Sequence, residues 1–164
     1  MTIAETMVLA IEVASDAIRF RGFARETALP VGVTAIARDV SSDPPRPEEL
    51  VNAIGIVSDH IDDVRRALPE LTDAGLTVTI SGIEVVAIAA VEVGANASLP
   101  FELSRHAAED VFRTLATETR AERARNPGLD HALVDTVVAG CCIVVAIIRS
   151  LQLDHVMVVE PETR

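Results

Sequence analysis

Two stretches near the start of the chain have the hydrophobic pattern of β-strands. Residues 7–13 form an apolar run with β-branched members, and residues 17–23 alternate apolar and polar side chains. Alternation with a period of two is typical of a strand with one buried face. Residues 29–37 are also rich in β-branched side chains and predict another strand. The chain is therefore expected to open with three strands.

The best-defined helix in the sequence follows a Pro-rich break at residues 41–46. Pro47 and two glutamates stand where a first helical turn is expected. Apolar residues then recur at spacings of three and four, at Leu50, Ile54, Val57, Ile61, Val64 and Leu68. That stripe predicts an amphipathic helix, and we interpret the charged residues 59–63 beside it as its solvated face.

The remainder of the chain alternates strands and helices. We predict a strand at 76–80, an apolar helix ending near Val93 before Gly94, a helix at 105–117 capped by Ser104, a charged segment at 119–126, an apolar helix at 131–151 and a strand at 154–159. This order (β-β-β-α-β-α, further helices, β) predicts an α/β fold with a mixed sheet of about five strands covered by helices. It matches a ribonuclease-H-like or actin-like half-domain.

Composition narrows the possible partners. The 164 residues are 49% hydrophobic and 24% charged, which indicates one folded domain over residues 1–164. The formal net charge is −11 and all 14 basic residues are arginine. The charge disfavours nucleic acid and anionic membranes, and the absence of lysine excludes Schiff-base chemistry and a P-loop lysine. The absence of Trp and Tyr argues further against base stacking.

The cysteines and the apolar segments indicate an intracellular, non-membrane protein. Cys141 and Cys142 are adjacent in an apolar run, so we expect them to be buried and reduced. The N-terminus lacks a secretory signal pattern, which predicts a cytoplasmic location. The longest apolar run, residues 137–148, is shorter than the ~20 residues that span a membrane. It is expected to be a core helix.

Neither a metal site nor a catalytic triad is indicated. His60, His106, His131 and His155 are scattered without a metal-binding spacing, and no serine has a nucleophile-elbow setting. We therefore predict no metal and no cofactor. Glu84 and Glu92 interrupt an apolar helix, and we interpret them as its solvated edge. The alternative is that they line a cleft and support acid chemistry.

Four segments carry a resemblance to a known family. Residues 29–32 (LPVG) are similar to its motif LPLG, residues 42–50 (SDPPRPEEL) to SDPPTPEEL, residues 77–90 to a strand-to-helix turn VGVGGTVTTLAA, and residues 134–140 (VDTVVAG) to ADVIVAG. Over nearly its whole length the chain resembles the second, actin-like domain of the Ppx/GppA exopolyphosphatase and guanosine-pentaphosphate phosphatase family. The resemblance implies a domain that lacks its family's first domain, where the catalytic glutamate lies.

The departures from that family fall on its phosphate-binding turns. The family's loop DIGGGSTE aligns with residues 10–17, where no glycine remains, Glu12 replaces one, and Ser15 is the only polar residue kept. The turn GGT corresponds to Ser81-Gly82-Ile83, followed by Glu84, and the arginine expected after LPLGAV falls at about Ala35. Side chains that resist positive φ and a negative charge both oppose phosphate binding. The predicted remnant cleft comprises Glu12, Ser15, Asp16, Ser81, Gly82 and Glu84.

Three hypotheses on function follow. The first is a non-catalytic interaction or regulatory protein, which we predict to be a homodimer or to pair with a separate partner domain, because the missing domain would leave an apolar interface uncovered. The second is part of a phosphohydrolase, acting on polyphosphate or a guanosine alarmone with a first domain from another chain. The third is a sensor of a small neutral or cationic ligand bound in the remnant cleft.

Overall fold

The computed structural model describes residues 7–72 and 75–162. Within these two ranges, six strands and six α-helices follow one another, with two short 3₁₀ turns at Pro69–Thr72 and His131–Leu133. In chain order the elements are β1 (Val8–Val13), β2 (Ile18–Gly22), β3 (Arg25–Leu29), α1 (Val33–Asp39), α2 (Pro47–Ala67), β4 (Thr77–Ser81), α3 (Ile83–Val93), β5 (Phe101–Ser104), α4 (Arg105–Thr117), α5 (Arg120–Arg123), α6 (Val137–Ser150) and β6 (His155–Val158).

All six strands form one mixed sheet, in the order β3-β2-β1-β4-β6-β5. The pairs β1–β2, β2–β3 and β5–β6 are antiparallel, whereas β1–β4 and β4–β6 are parallel. The parallel pairs need crossover connections, and α2 and the segment from α3 to α6 provide them. The predicted α/β class and mixed sheet are confirmed, with one strand more than the five expected.

One face of the sheet is apolar and carries the helices. The strand register places Leu9 opposite Val78, and Ile11 opposite both Phe20 and Ile80, on that face. Against it lies a helical layer centred on α6, which contacts α1, α2, α3 and α4. Every residue of α6 from Val137 to Ile148 is buried. The apolar run that the sequence showed is therefore the centre of the core, with both cysteines buried in it.

The opposite face of the sheet carries no helix in the described part of the chain. Its side chains include Val8, Ala10, Arg21, Thr79 and Met157, and all of them are exposed or half-buried. This face, called the uncovered face below, is the solvated side that a sheet with antiparallel strands tolerates.

The third predicted strand is wrong in position. Phe23 and Ala24 adopt left-handed φ values of 55° and 59°, so the chain turns back at once and β3 occupies Arg25–Leu29. Pro30 lacks an N–H group for a further ladder bond, and residues Val33–Asp39 form helix α1 instead of continuing the strand. The β-branched residues of this segment are thus helical, because tertiary contacts override local propensity.

Two other predictions need correction. The strand β5, Phe101–Ser104, was not predicted: its four residues alternate apolar and polar side chains, but so short a run is a weak signal. The predicted helix at 131–151 is a 3₁₀ turn at His131–Leu133 followed by α6. The remaining predicted elements are confirmed within one or two residues, including the Ser104 cap, whose Oγ accepts a hydrogen bond from the Ala107 N–H at 3.0 Å.

Candidate ligand-binding cleft

The predicted cleft lies where three parallel strands end. The strands β1, β4 and β6 end at Val13, Ser81 and Val158 respectively, so their carboxyl ends share one edge of the sheet. Ligands of open α/β sheets bind outside this edge. The turn after β1, the turn at Gly82 and the tail after β6 therefore form the candidate site.

The turn after β1 is closed by its own hydrogen bonds. The Ala14 N–H donates to the Ala17 carbonyl at 3.0 Å. The carbonyls of Ala14 and Ser15 accept from the first N–H groups of α1, those of Val33 and Thr34, each at 3.0 Å. A phosphate-binding turn needs free N–H groups directed at the anion. Here the Ala14 amide is bonded within the turn, and the carbonyl oxygens of the turn bind the first amides of α1.

Gly32 permits this close contact between the turn and α1. A Cβ atom at Gly32 would lie 2.5 Å from the Ala17 nitrogen and 2.6 Å and 2.7 Å from the carbonyl oxygens of Ser15 and Ala14. Real Cβ atoms do not approach backbone this closely. Glycine is therefore needed at position 32, at the start of α1, whereas the residues of the turn itself carry side chains.

Ion pairs occupy the strand surface beside the turn. Glu12 lies 3.4 Å from Arg19 and 3.9 Å from Arg21, and Asp16 lies 3.3 Å from Arg19. Arg21 also contacts Glu26 at 3.4 Å and Glu162 at 3.0 Å. The negative charge of Glu26 and the hydrogen bond to Glu162 raise the pKa of the Arg21 guanidinium above its ordinary value. Both arginines are therefore already paired with carboxylates of the same chain.

The cavity at this place is small and carries more carboxylates than guanidinium groups. It has a volume of about 110 Å³ and is lined by Glu12, Arg19, Arg21, Thr79, Ser81, Glu160 and Glu162, among others. Sites for organic ligands usually span about 300–1,000 Å³. The cavity can admit a few water molecules, but it is too small for a nucleotide.

The second turn is built around Gly82. This glycine has φ 140° and precedes the first residue of α3, and a Cβ atom there would lie 2.4 Å from the Val13 carbonyl oxygen. Only glycine adopts this conformation readily. The glycine that the sequence retains thus serves the packing of α3 on the end of β1.

Glu84 is buried, and its interpretation as part of a solvated edge is wrong. It is 6% exposed, and a Cβ atom at Gly140 would lie 2.6 Å from the Glu84 Cβ. Residues eight apart on an ideal helix differ by about 80° in direction, so Glu84 and Glu92 need not share a face. Glu92 is exposed, as predicted. No hydrogen bond to the Glu84 carboxylate is found within residues 7–72 and 75–162.

The structure brings together only some of the predicted cleft residues. Glu12 and Ser81 line the small cavity, Ser15 and Asp16 lie exposed in the turn, and Gly82 and Glu84 pack on the α3 side. Arg19, Arg21, Glu160 and Glu162 were not predicted. The two arginines could have been found, because the polar positions of β2 face Glu12 once the strands pair as a hairpin.

The two cysteines, His106 and Arg123 are placed by packing and pairing within the fold. Burial raises the pKa of both thiols, that of Cys142 to about 12, so neither is a thiolate at neutral pH. His106 and Asp110 contact each other at 3.1 Å on the surface of α4, and within the described ranges three or more metal-ligand side chains never cluster. The buried Arg123 donates to the carbonyls of Leu115, Glu118 and Val134, which explains its burial.

None of the helices within the described ranges has both the length and the apolar character of a bilayer-spanning helix. No protein-family model and no curated protein matches the chain.

Solved structures of Ppx/GppA proteins share the fold. The type II variant of the Aquifex aeolicus Ppx/GppA phosphatase superposes with a TM-score of 0.82 at 17% identity, covering 95% of this chain and 54% of that one. An exopolyphosphatase-like protein superposes with a TM-score of 0.84 at 16% identity, covering 94% of this chain and 54% of that one. An exopolyphosphatase from Cytophaga hutchinsonii superposes with a TM-score of 0.79 at 14% identity, covering 96% of this chain and 54% of that one. The chain thus has a Ppx/GppA-like fold and spans about half the length of these proteins.

Proposed function

We propose that this chain is a non-catalytic interaction or regulatory protein built on the exopolyphosphatase fold. The observation that carries the proposal is the closed turn after β1, where the Ala14 N–H donates to the Ala17 carbonyl and the first amides of α1 donate to Ala14 and Ser15. An anion would have to compete with these bonds and with the carboxylate of Glu12.

The alternative of a phosphohydrolase is tested by activity. We expect no release of phosphate from polyphosphate or from guanosine tetra- and pentaphosphate with magnesium. Glu12→Gln and Glu84→Gln variants serve as matched controls, because the first carboxylate stands at the end of β1 and the second follows the Gly82 turn. Turnover that the wild type shows and either variant loses would refute the proposal. Turnover that survives equally in both variants would indicate a contaminating enzyme and would leave the chain itself inactive, as proposed.

The partner that we propose is a second copy, docked on the uncovered face of the sheet. The apolar helix α6 does not require a partner, because all of its central residues are buried within the chain. The uncovered face, by contrast, places Val8, 49% exposed, at the centre of a six-stranded sheet. Charged pairs flank it, such as Arg21 with Glu26, and could form complementary contacts in a two-fold interface.

Sedimentation at micromolar concentration tests this part of the proposal. We expect a dimer that Val8→Arg disrupts, because a buried unpaired charge in an interface is costly. The matched control is Val51→Arg, which alters a 72% exposed valine on the outer side of α2 and should leave the dimer intact. A wild-type monomer, or a dimer that only the Val51 variant disrupts, would contradict this assignment.

A further inference from the structure

A larger groove lies beside the Gly82 turn and shares Glu160 with the small cavity described above. Its volume is about 540 Å³, within the usual range for small-molecule sites. One side of α3, the segment around residues 127–133 and the tail after β6 form its walls. Its apolar lining includes Ile83, Val86, Ala87, Ala90, Leu129 and Leu133. Ile83 is 59% exposed although it begins a helix of the core layer.

The groove wall is held in place by the chain's own packing. A Cβ atom at Gly128 would lie 2.2 Å from the Ala90 carbonyl oxygen, so the 127–130 segment rests directly on the backbone of α3. The Gly128 N–H donates to Asn126 Oδ1 at 3.1 Å, and Asp130 Oδ1 accepts from the Ala132 N–H at 3.0 Å. A preformed groove avoids the free-energy cost of ordering a loop on binding.

The charges on the groove are all negative. Asp130 and Glu160 line it, and no basic side chain does so. No partner of the Glu160 carboxylate is found among the described residues. With a net charge of −11 over the chain, the potential at this groove favours a cation and opposes an anion.

Two other concavities have different lining. One of about 470 Å³ carries Arg65, Asp154 and His155, so its charges are mixed. One of about 360 Å³ contains Arg120 and Arg123, but Asp135 and backbone carbonyls already bind these guanidinium groups. The groove beside α3 alone among these combines an apolar floor with charges of a single sign.

We propose that this groove binds a small apolar molecule that carries one positive charge. The apolar part would pack on Ile83, Val86 and Leu133, and the cationic group would lie beside Asp130 and Glu160. The inference does not rest on the loss of phosphate binding, because none of the groove's residues belongs to the turn after β1.

The test compares two probes of equal length and opposite charge. Octylammonium and octanoate, each kept below its critical micelle concentration, are titrated into the ¹⁵N-labelled full chain. The chemical shifts of the backbone amides are recorded. We expect octylammonium to shift signals of α3 and residues 127–133 and to bind about fivefold or more tighter than octanoate. Equal affinities, or shifts located elsewhere on the chain, would overturn the proposal.

Variants identify the source of the preference. Asp130→Asn combined with Glu160→Gln should abolish the preference for the cation. Ile83→Ser should weaken the binding of both probes, because it removes apolar contact. Glu92→Gln, on the same helix but outside the groove, is the matched control and should change neither affinity. If the control reduces octylammonium binding as much as the double variant, only the overall charge acts and the site is refuted. A second copy that covers the groove would block both probes, and that result would also refute it.

Discussion

The turn after β1 and the groove beside α3 lie at the same edge of the sheet, yet they differ in what their polar groups do. In the turn, the carbonyls of Ala14 and Ser15 and the side chains of Glu12 and Arg19 all have partners within the chain. In the groove, the floor is apolar and the charged side chains that line it, Asp130 and Glu160, are both acidic. A surface whose polar groups are satisfied internally offers little to a ligand, whereas an apolar concavity offers surface that a ligand can bury.

The fold is shared with other proteins although the sequences differ widely. Two Ppx/GppA-type structures superpose on this chain with TM-scores of 0.82 and 0.79, at 17% and 14% identity. The closed turn combines side chains at residues 14–16 with a contact to α1 through Gly32. The apolar layer beneath does not depend on these residues.

The largest effect is expected from Gly32→Ala, which would break the contact that closes the turn. Three backbone atoms lie within 2.7 Å of the new Cβ, so the turn and α1 must separate. We expect the free energy of unfolding to fall by about 3 kcal/mol in urea denaturation. The control is Gly55→Ala in α2, where nothing lies within 4 Å, and it should raise stability by up to about 1 kcal/mol. Equal effects of the two variants would show that the turn is not tightly packed.

A smaller effect is expected from Gly128→Ala on the groove side. Its Cβ would meet the Ala90 carbonyl oxygen at 2.2 Å, but a surface segment can move away more easily than a helix. We expect a loss of about 2 kcal/mol in stability, measured in the same way, together with weaker octylammonium binding. Unchanged binding would mean that the 127–130 segment does not shape the groove.

An ion pair outside both regions makes the protein sensitive to acid. Glu109 in α4 pairs with Arg149 in α6 at 2.7 Å, and this hydrogen bond lowers the pKa of Glu109 below its ordinary 4.5. A lowered pKa in the folded state stabilises the protein above the unfolded value, and the contribution disappears as the pH falls through the folded value. Glu109→Gln should therefore cost about 1 kcal/mol at pH 7 and nothing near pH 2. If the stability difference between the variant and the wild type persists near pH 2, the loss comes from packing and not from the ion pair.

The smallest effect is expected from Glu12→Gln. The Glu12 side chain is partly exposed, and ion pairs of this kind contribute less than about 1 kcal/mol. Urea denaturation should show a change of at most about 0.5 kcal/mol. Amide signals of residues 12–17 should still not respond to millimolar phosphate, because the backbone bonds of the turn remain. A phosphate response in this variant would mean that charge, and not backbone closure, excludes the anion.

Particular residues show how far sequence reasoning reached. The stripe from Leu50 to Leu68 predicted α2, Ser104 predicted the start of α4, and Gly94 the end of α3, because each signal acts within one or two turns of helix. Glu84 was misplaced because its burial depends on Gly140, which is far away in the sequence. The segment after Pro30 was misassigned because the carbonyls that receive the first amides of α1 belong to a remote turn.

The sequence by itself determined the periods of the strands and helices, the caps, the net negative charge and the absence of glycines from the turn after β1. Only the tertiary structure decided that this turn is closed, that one face of the sheet is uncovered and that an apolar groove with an acidic rim lies beside α3. The reason is that local pattern depends on neighbours along the chain, whereas burial, hydrogen-bond partners and cavities depend on residues that meet only after folding.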